Sequence, residues 1–194
     1  MREMETTLLR RSLAALLDGY AARWPDETEV VGRFREFLAS GETLQGKANP
    51  ARHITASTWI IDAARTSALL TYHAKLNKWV QLGGHTDEGE PWAEAALREA
   101  REESGLSKLR FVDDQLFDLD IHEIPARPDT PAHWHYDLRF LVEADPAESL
   151  IISEESRDLA WVPLVQLGNF TEEESQHRMA RKTPPRSDEL AFRT

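Results

Sequence analysis

The sequence predicts an α/β fold. Three observations support this. Residues 5–38 keep helical spacing of apolar side chains, whereas His53–Leu82 is rich in β-branched and aromatic residues. A Pro-to-Gly bounded helix, Pro91–Gly105, follows those strands. A strictly alternating stretch, His133–Phe140, follows that helix. At 194 residues the chain is long enough for one domain with a substantial core.

Taken in order, Leu9, Leu13, Leu16, Leu17 and Tyr20 mark an amphipathic helix over 5–22. Pro25 opens a second, with Val30, Val31, Phe34, Phe37 and Leu38 on one face and Gly41 as its end. These helices form an N-terminal extension, residues 1–45. Capping a substrate cleft, forming a dimer surface and simply covering a sheet are its three readings. Residues 41–52, with two Gly and a Pro, read as a linker or loop. Strands are predicted at His53–Asp62 and Ser67–His73, with a turn at 63–65, and Trp79–Leu82 delivers Gly83 and Gly84. Leu109–Val112 and Leu116–Ile124 read as extended, and Pro125, Pro128 and Pro131 stiffen the loop after them. Glu148–Ser153 is a weak strand or helix start. Ser156–Val162 is a late strand, and Pro163–Gly168 a short helix. Thr171–Arg181 is a last helix, with Thr171 as cap and Glu174 in capping-box spacing. The polar end, 183–194, reads as a loose tail, leaving 46–182 as the main domain.

The helix after Pro91 is unusual. A wheel at about 100° per residue places Ala93, Ala96, Leu97 and Ala100 on an apolar arc, and Glu94, Arg98 and Arg101 opposite. Glu99, Glu102 and Glu103 fall between, and Glu103 projects near Trp92 and Ala96, which predicts partial burial. Like charges at i,i+4, here Glu99 and Glu103, destabilise an isolated helix, and burial adds to the cost. A hard divalent cation relieves both, since it prefers oxygen donors. The plain alternative is a solvated face laced by pairs such as Arg98–Glu102.

The wider pattern decides between these. Gly84, five residues, Glu90, seven residues, Arg98-Glu99-Ala100, one residue, Glu102-Glu103, one residue, Gly105-Leu106 resembles the Nudix box of the Nudix hydrolases. Seven fixed identities give a chance match on the order of one in a million. The flanking strands agree with that resemblance, which also includes a bacterial subgroup whose box starts Gly-Gly-His. It implies an α/β/α sandwich around a mixed β-sheet, with the N-terminal helices as an addition. It implies metal-dependent hydrolysis of a pyrophosphate linkage in a nucleoside diphosphate joined to another moiety. By position, Glu99, Glu102 and Glu103 would bind Mg²⁺ or Mn²⁺ and Arg98 would orient a carboxylate, making these four the catalytic set. Gly84, Glu90 and Gly105 would be structural. The general base has no fixed position in the family. A Nudix-fold module that senses a nucleotide without cleaving it is the alternative, but such modules typically lose a box carboxylate and here all are present.

Outside the box, His85 follows Gly84 directly. On the strand at 133–140, His133, His135, Asp137 and Arg139 face one way, and Trp134, Tyr136, Leu138 and Phe140 the other. Such a strand ordinarily has one wet face. His and Arg can also bind phosphate or sugar, so His85, His133, His135, Asp137 and Arg139 are candidate substrate contacts. Asp137 would orient His135, and His122 would join if its strand lies alongside. A two-His-plus-carboxylate metal site is the lesser reading. Trp59, Trp79, Trp92, Trp134 and Trp161 are candidates for stacking a base, although core placement is commoner.

Composition narrows the rest. The net charge of −11 disfavours nucleic acid as a partner but not a small nucleotide substrate. With no cysteine, disulfides, zinc–thiolate sites and thiol nucleophiles are excluded, and the cysteine-dependent isopentenyl-diphosphate isomerases of the same fold with them. Leu13–Leu17 is too short for a signal or membrane segment, so no membrane partner and a cytoplasmic location are expected. Dimers are common in the family, which leaves a homodimer open.

Overall fold

The computed structural model describes residues 2–128 and 130–186. Among the described residues there are four α-helices: α1 (Arg2–Arg23), α2 (Thr28–Ala39), α3 (Trp92–Ser104) and α4 (Glu174–Lys182). Its strands are β1 (Arg52–Ile61), β2 (Ser67–His73), β3 (Lys78–Val80), β4 (Leu82–His85), β5 (Arg110–Ile124), β6 (His133–Glu143) and β7 (Ser156–Pro163). They form one sheet in the order β3-β2-β1-β6-β5, with β4 paired to β1 and β7 to β2. No helix among the described residues is long and apolar enough to cross a membrane. The chain forms two compact units, residues 1–57, 83–97 and 114–140, and residues 58–82, 98–113 and 141–194.

In the first unit, the N-terminal helices pack onto a sheet face. Leu13, Leu17 and Tyr20 of α1 and Val31, Phe34 and Phe37 of α2 are all buried. Phe34 and Phe37 meet the Tyr136 ring of β6 at centroid distances of 5.2 and 4.8 Å. Burying each such side chain contributes about 1.5–3 kcal/mol. Arg10 of α1 donates to the carbonyls of Leu38 and Glu42, capping the negative end of α2. Trp92, at the start of α3, donates its indole N–H to Ser12 Oγ (3.1 Å) and the Leu9 carbonyl (3.3 Å). Through Phe34 and Phe37, α2 covers part of the sheet, as one of the three readings has it. Pro25 lies in the turn before α2 rather than inside it, and Gly41 closes the segment with a φ of +78°.

The predicted linker at 41–52 is a built loop. Glu42 pairs with Arg52 and accepts from Asn49, and these contacts hold its carboxyl down at about 2. Asn49 Oδ1 accepts from the N–H groups of Ala51 and Arg52 at 3.1 and 3.2 Å. Gly83 of β4 lies so close to β1 that an added Cβ would fall 2.5 Å from Ser57 Cα.

In the second unit, β2 is the centre. It pairs antiparallel with β7 along Ser67–His73, with β3 at Thr71–His73, and with β1 at Ala68–Leu69. A strand has two edges, so β7 takes one and β1 and β3 share the other. Asp62 ends β1 rather than extending it. Its carboxylate accepts from Thr66 N (2.7 Å) and Ser67 N (2.9 Å), and Arg65 adopts a φ of +57° to complete the turn. Trp59 donates to Thr183 Oγ1 at 3.0 Å and Arg65 to the Pro184 and Pro185 carbonyls at 3.2 Å, so residues 183–185 are held. Residues 187–194 of the expected loose tail lie outside the described residues.

Other expectations shift. The two extended stretches after the box are one 15-residue strand, β5. Residues 148–153 are neither strand nor helix. The short helix after β7 is a 3-10 turn, Leu164–Asn169. Thr171 does not cap α4. Its hydroxyl accepts from the Glu173 N–H (3.2 Å) in a turn ahead of the helix, and α4 starts with no side-chain cap.

The Gly83 contact yields a direct test. Gly83→Ala should lower the unfolding free energy by about 1–3 kcal/mol, because Ser57 Cα is backbone and cannot rotate away. Urea denaturation of the variant beside wild type measures it.

Candidate active site and a buried polar ladder

The box begins in the first unit with a braced turn. Glu90 Oε2 accepts the Asp87 N–H at 3.0 Å, and the Glu90 N–H returns to the Asp87 carbonyl at 3.1 Å. Gln45, from the loop before β1, completes the brace. Its amide donates to the Glu90 carbonyl (2.7 Å) and its oxygen accepts the Gly89 N–H (3.0 Å). Glu90 thus closes the turn on Asp87. Gln45 was missed, because its partners lie more than forty residues away in sequence.

The helix α3 buries Trp92, Ala95, Ala96, Ala100, Glu103 and Ser104. The face is rotated from the apolar arc read off the wheel: Ala93 and Leu97 are only half-buried. The large Trp92 sets the rotation, and Ala96 and Glu103 follow it at helical spacing. Glu103 is 4% exposed, more buried than expected.

The carboxylate cluster lies on the second unit's part of α3. One guanidinium nitrogen of Arg98 reaches Glu99 at 2.8 Å and Glu102 at 3.2 Å. Burial raises the Glu99 carboxyl above its ordinary range. Hydrogen bonding and charge from Arg98 oppose this, and the negative charges of Glu102 and Glu155 add to it. Arg98 thus bridges Glu99 and Glu102, and Glu99 and Glu103 are largely withdrawn from water. This donor set is all oxygen and anionic, and it fits a hard divalent cation.

The helix end is tied down. Gly105 takes a φ of +73°, its N–H bonds the Arg101 carbonyl at 2.8 Å, and a Cβ there would strike Ile151 at 2.7 Å. Ile151 N–H donates to the Ser104 carbonyl (2.7 Å), and Glu148 accepts from Ser107 N–H and hydroxyl at 2.7 and 2.6 Å.

The candidates on β6 have a different environment from the half-wet strand expected. Asp137 and Arg139 are 1% and 2% exposed. Asp137 Oδ1 accepts from Thr55 (2.9 Å) and Ser57 (2.7 Å) of β1, and its Oδ2 accepts from Arg139 Nε (2.8 Å). Arg139 also reaches Asp118 (3.1 Å) and Asp120 (3.2 Å) of β5. Burial disfavours the charged guanidinium, but Asp120, Asp137 and Asp118 outweigh it and leave its affinity for the proton raised. Asp137, expected to orient His135, bonds to two β1 hydroxyls and to Arg139.

The histidines gather at the other end of this polar face. His133 and His135 of β6 lie with their Nε2 atoms 3.2 Å apart. His53 of β1, His85 of β4 and His122 of β5 bring their rings within 4.8–5.4 Å of His135. His122 donates its Nδ1–H to Asp120 (3.0 Å), and its ring joins the cluster beside His135. His53 was not among the candidates. A signal was present: His53, Thr55 and Ser57, and likewise Asp118, Asp120 and His122, repeat every second residue and so share a face in their own strands.

Of the five tryptophans considered for stacking, Trp59 and Trp92 are core, and Trp134 is 40% exposed beside Arg33. Trp79 packs against Tyr72 and Phe170. Trp161 is half-buried.

Comparison with known proteins agrees with the box geometry. The NUDIX domain family matches residues 51–183. This chain belongs to the Nudix family. It is a family hydrolase acting on phosphoric anhydride bonds, a pyrophosphohydrolase. Among solved structures, a C. elegans Ap4A hydrolase aligns with 22% identity and a TM-score of 0.55, covering 72% of this chain and 98% of that one. A NUDIX-family hydrolase from Clostridium perfringens aligns with 27% identity and a TM-score of 0.51, with the same coverage. The NUDIX domain of Shewanella oneidensis NrtR, complexed with ADP ribose, aligns with 16% identity and a TM-score of 0.50, covering 76% and 94%. No curated protein matches the chain. The Nudix α/β fold is therefore as the box resemblance implied, and the N-terminal helices are as the apolar spacing predicted.

The ladder gives a second test. Arg139→Met should destabilise the protein by about 3–5 kcal/mol, since it leaves buried carboxylates without their cation. The urea midpoint of the variant reads this directly.

Proposed function

We propose that this Nudix hydrolase cleaves the P–O–P linkage of a nucleoside diphosphate derivative in a reaction that requires Mg²⁺ or Mn²⁺. The observation that carries this reading is the α3 carboxylate set, where Glu99, Glu102 and Glu103 share one helix and Arg98 offsets only part of their charge. Glu99, Glu102 and Glu103 would hold the cation. When bound, it supplies charge neutralisation for the diphosphate and acidifies an attacking water.

The chain's own residues do the rest. Arg98 fixes the side chains of Glu99 and Glu102 at one helix face. The Gln45–Glu90 brace holds the loop that leads into the helix. Holding these groups in place before substrate arrives spares the reaction that reorganisation cost. The structurally similar Ap4A hydrolase and the ADP-ribose-bound domain make dinucleoside polyphosphates and ADP-ribose the first compounds to assay. A cytoplasmic site of action fits such substrates.

Glu102 is the cleanest residue to change, because its side chain is 61% exposed and its loss should not unfold the helix. Glu102→Gln should lower kcat on the order of 10²–10³-fold with Mg²⁺ or Mn²⁺, the scale of one lost electrostatic contact to the transition state. Chromatography of products from Ap4A and ADP-ribose, wild type beside variant, measures it. Equal turnover by the two proteins would remove Glu102 from the mechanism. Tight nucleotide binding without turnover by wild type would support a sensing module instead.

A further inference from the structure

We propose that His53, His85 and His135 form a second metal site, one that takes a divalent transition-metal ion such as Zn²⁺ or Co²⁺. Its donors are neutral nitrogens, and none of the box carboxylates contributes to it. One ligand atom from each of the three residues lies within 4.8 Å of the others. A tetrahedral ion with bonds of about 2.0–2.1 Å needs its nitrogens about 3.4 Å apart. Small rotations of His85 and His135, both only half-buried, supply that closure.

Hydrogen bonding sets which nitrogens can ligate. His53 Nδ1 lies 3.2 Å from the Asn49 carbonyl. A carbonyl only accepts, so Nδ1 carries the proton and Nε2 presents its lone pair. His133 Nδ1 faces the Pro131 carbonyl at 2.9 Å in the same way. Its Nε2 therefore accepts from His135 Nε2–H at 3.2 Å, which leaves the lone pair of His135 on Nδ1. A ring N–H fixed on a backbone carbonyl is the support that metal-bound histidines commonly have. His53 is further held by the Asn49 loop, whose amide side chain is itself anchored on Glu42 at 2.9 Å.

The alternative ligand for a histidine cluster is an anion such as phosphate, which needs charged imidazolium. This cluster disfavours that state. His53 lies 4.8–5.1 Å from His85, His133 and His135, and His135 lies 5.0–5.1 Å from His133 and His85, so adjacent positive charges would repel at close range. Lone pairs converging from neutral rings suit a cation instead. Nitrogen donors select Zn²⁺, Co²⁺, Ni²⁺ or Cu²⁺ over Mg²⁺, which prefers oxygen. The carboxylates nearest the cluster do not change this: Asp120 is engaged by Arg139 and His122, and Asp137 by Arg139, Thr55 and Ser57.

The test is titration of the chelator-treated full chain with Zn²⁺ by calorimetry, and with Co²⁺ by visible absorption, both in excess Mg²⁺. Wild type should bind about one equivalent and give the intense absorption of a four-coordinate cobalt ion. Glu102→Gln, which alters only the box, and His177→Asn, whose ring lies on the Thr171 carbonyl at 3.0 Å, should bind as wild type does. His85→Asn and His135→Asn should each weaken binding at least about 100-fold. Circular dichroism melting confirms that each variant is folded. If His135→Asn unfolds, the half-exposed His85→Asn carries the decision. Absence of Zn²⁺ binding by wild type, unchanged affinity in His85→Asn, or loss of binding in Glu102→Gln would each overturn the proposal.

Discussion

The buried guanidinium of Arg139 is the constraint on which the first unit depends. A charge that is 2% exposed costs several kcal/mol to desolvate and must be matched by close, well-aligned carboxylates. Asp118 and Asp120 from β5 and Asp137 from β6 provide that match, and Asp137 is completed by Thr55 and Ser57 of β1. The consequence is positional. A slip of one residue in β6 would send Arg139 to the apolar face, against the side where Tyr136 meets Phe34 and Phe37. The network therefore pins three strands in register, and the histidines at the strand ends inherit their positions from it.

A related balance operates at the box helix. Trp92, anchored on α1, turns Ala96 and Glu103 inward, and Glu99 is carried partly inward with them. The helix thereby holds carboxylates where burial and mutual repulsion raise their energy, and Arg98 compensates only in part. The tied ends, Gln45 with Glu90 before the helix and Ile151 with Ser104 at its close, keep that arrangement from relaxing by fraying.

The two candidate cation sites differ in kind. One offers anionic oxygens, the other neutral nitrogens, and these donor types sort ions by hardness. A single chain can hold both without competition, because Mg²⁺ gains little from imidazole and a borderline ion gains much.

The sequence by itself determined the family, the α/β class and the box helix, because these rest on local patterns: a Pro start, a Gly stop and fixed carboxylate spacing. It also determined that His133, His135, Asp137 and Arg139 share a face, since alternation in a strand is a property of the backbone. Only the tertiary structure decided what covers that face. Alternation shows which side chains point the same way, but not whether water or another strand meets them, and here Asp118, Asp120, Thr55 and Ser57 do. The same limit explains Gln45 and His53. Each looks ordinary in its own segment, and each acquires its role from partners thirty or more residues away, through contacts that no local period encodes.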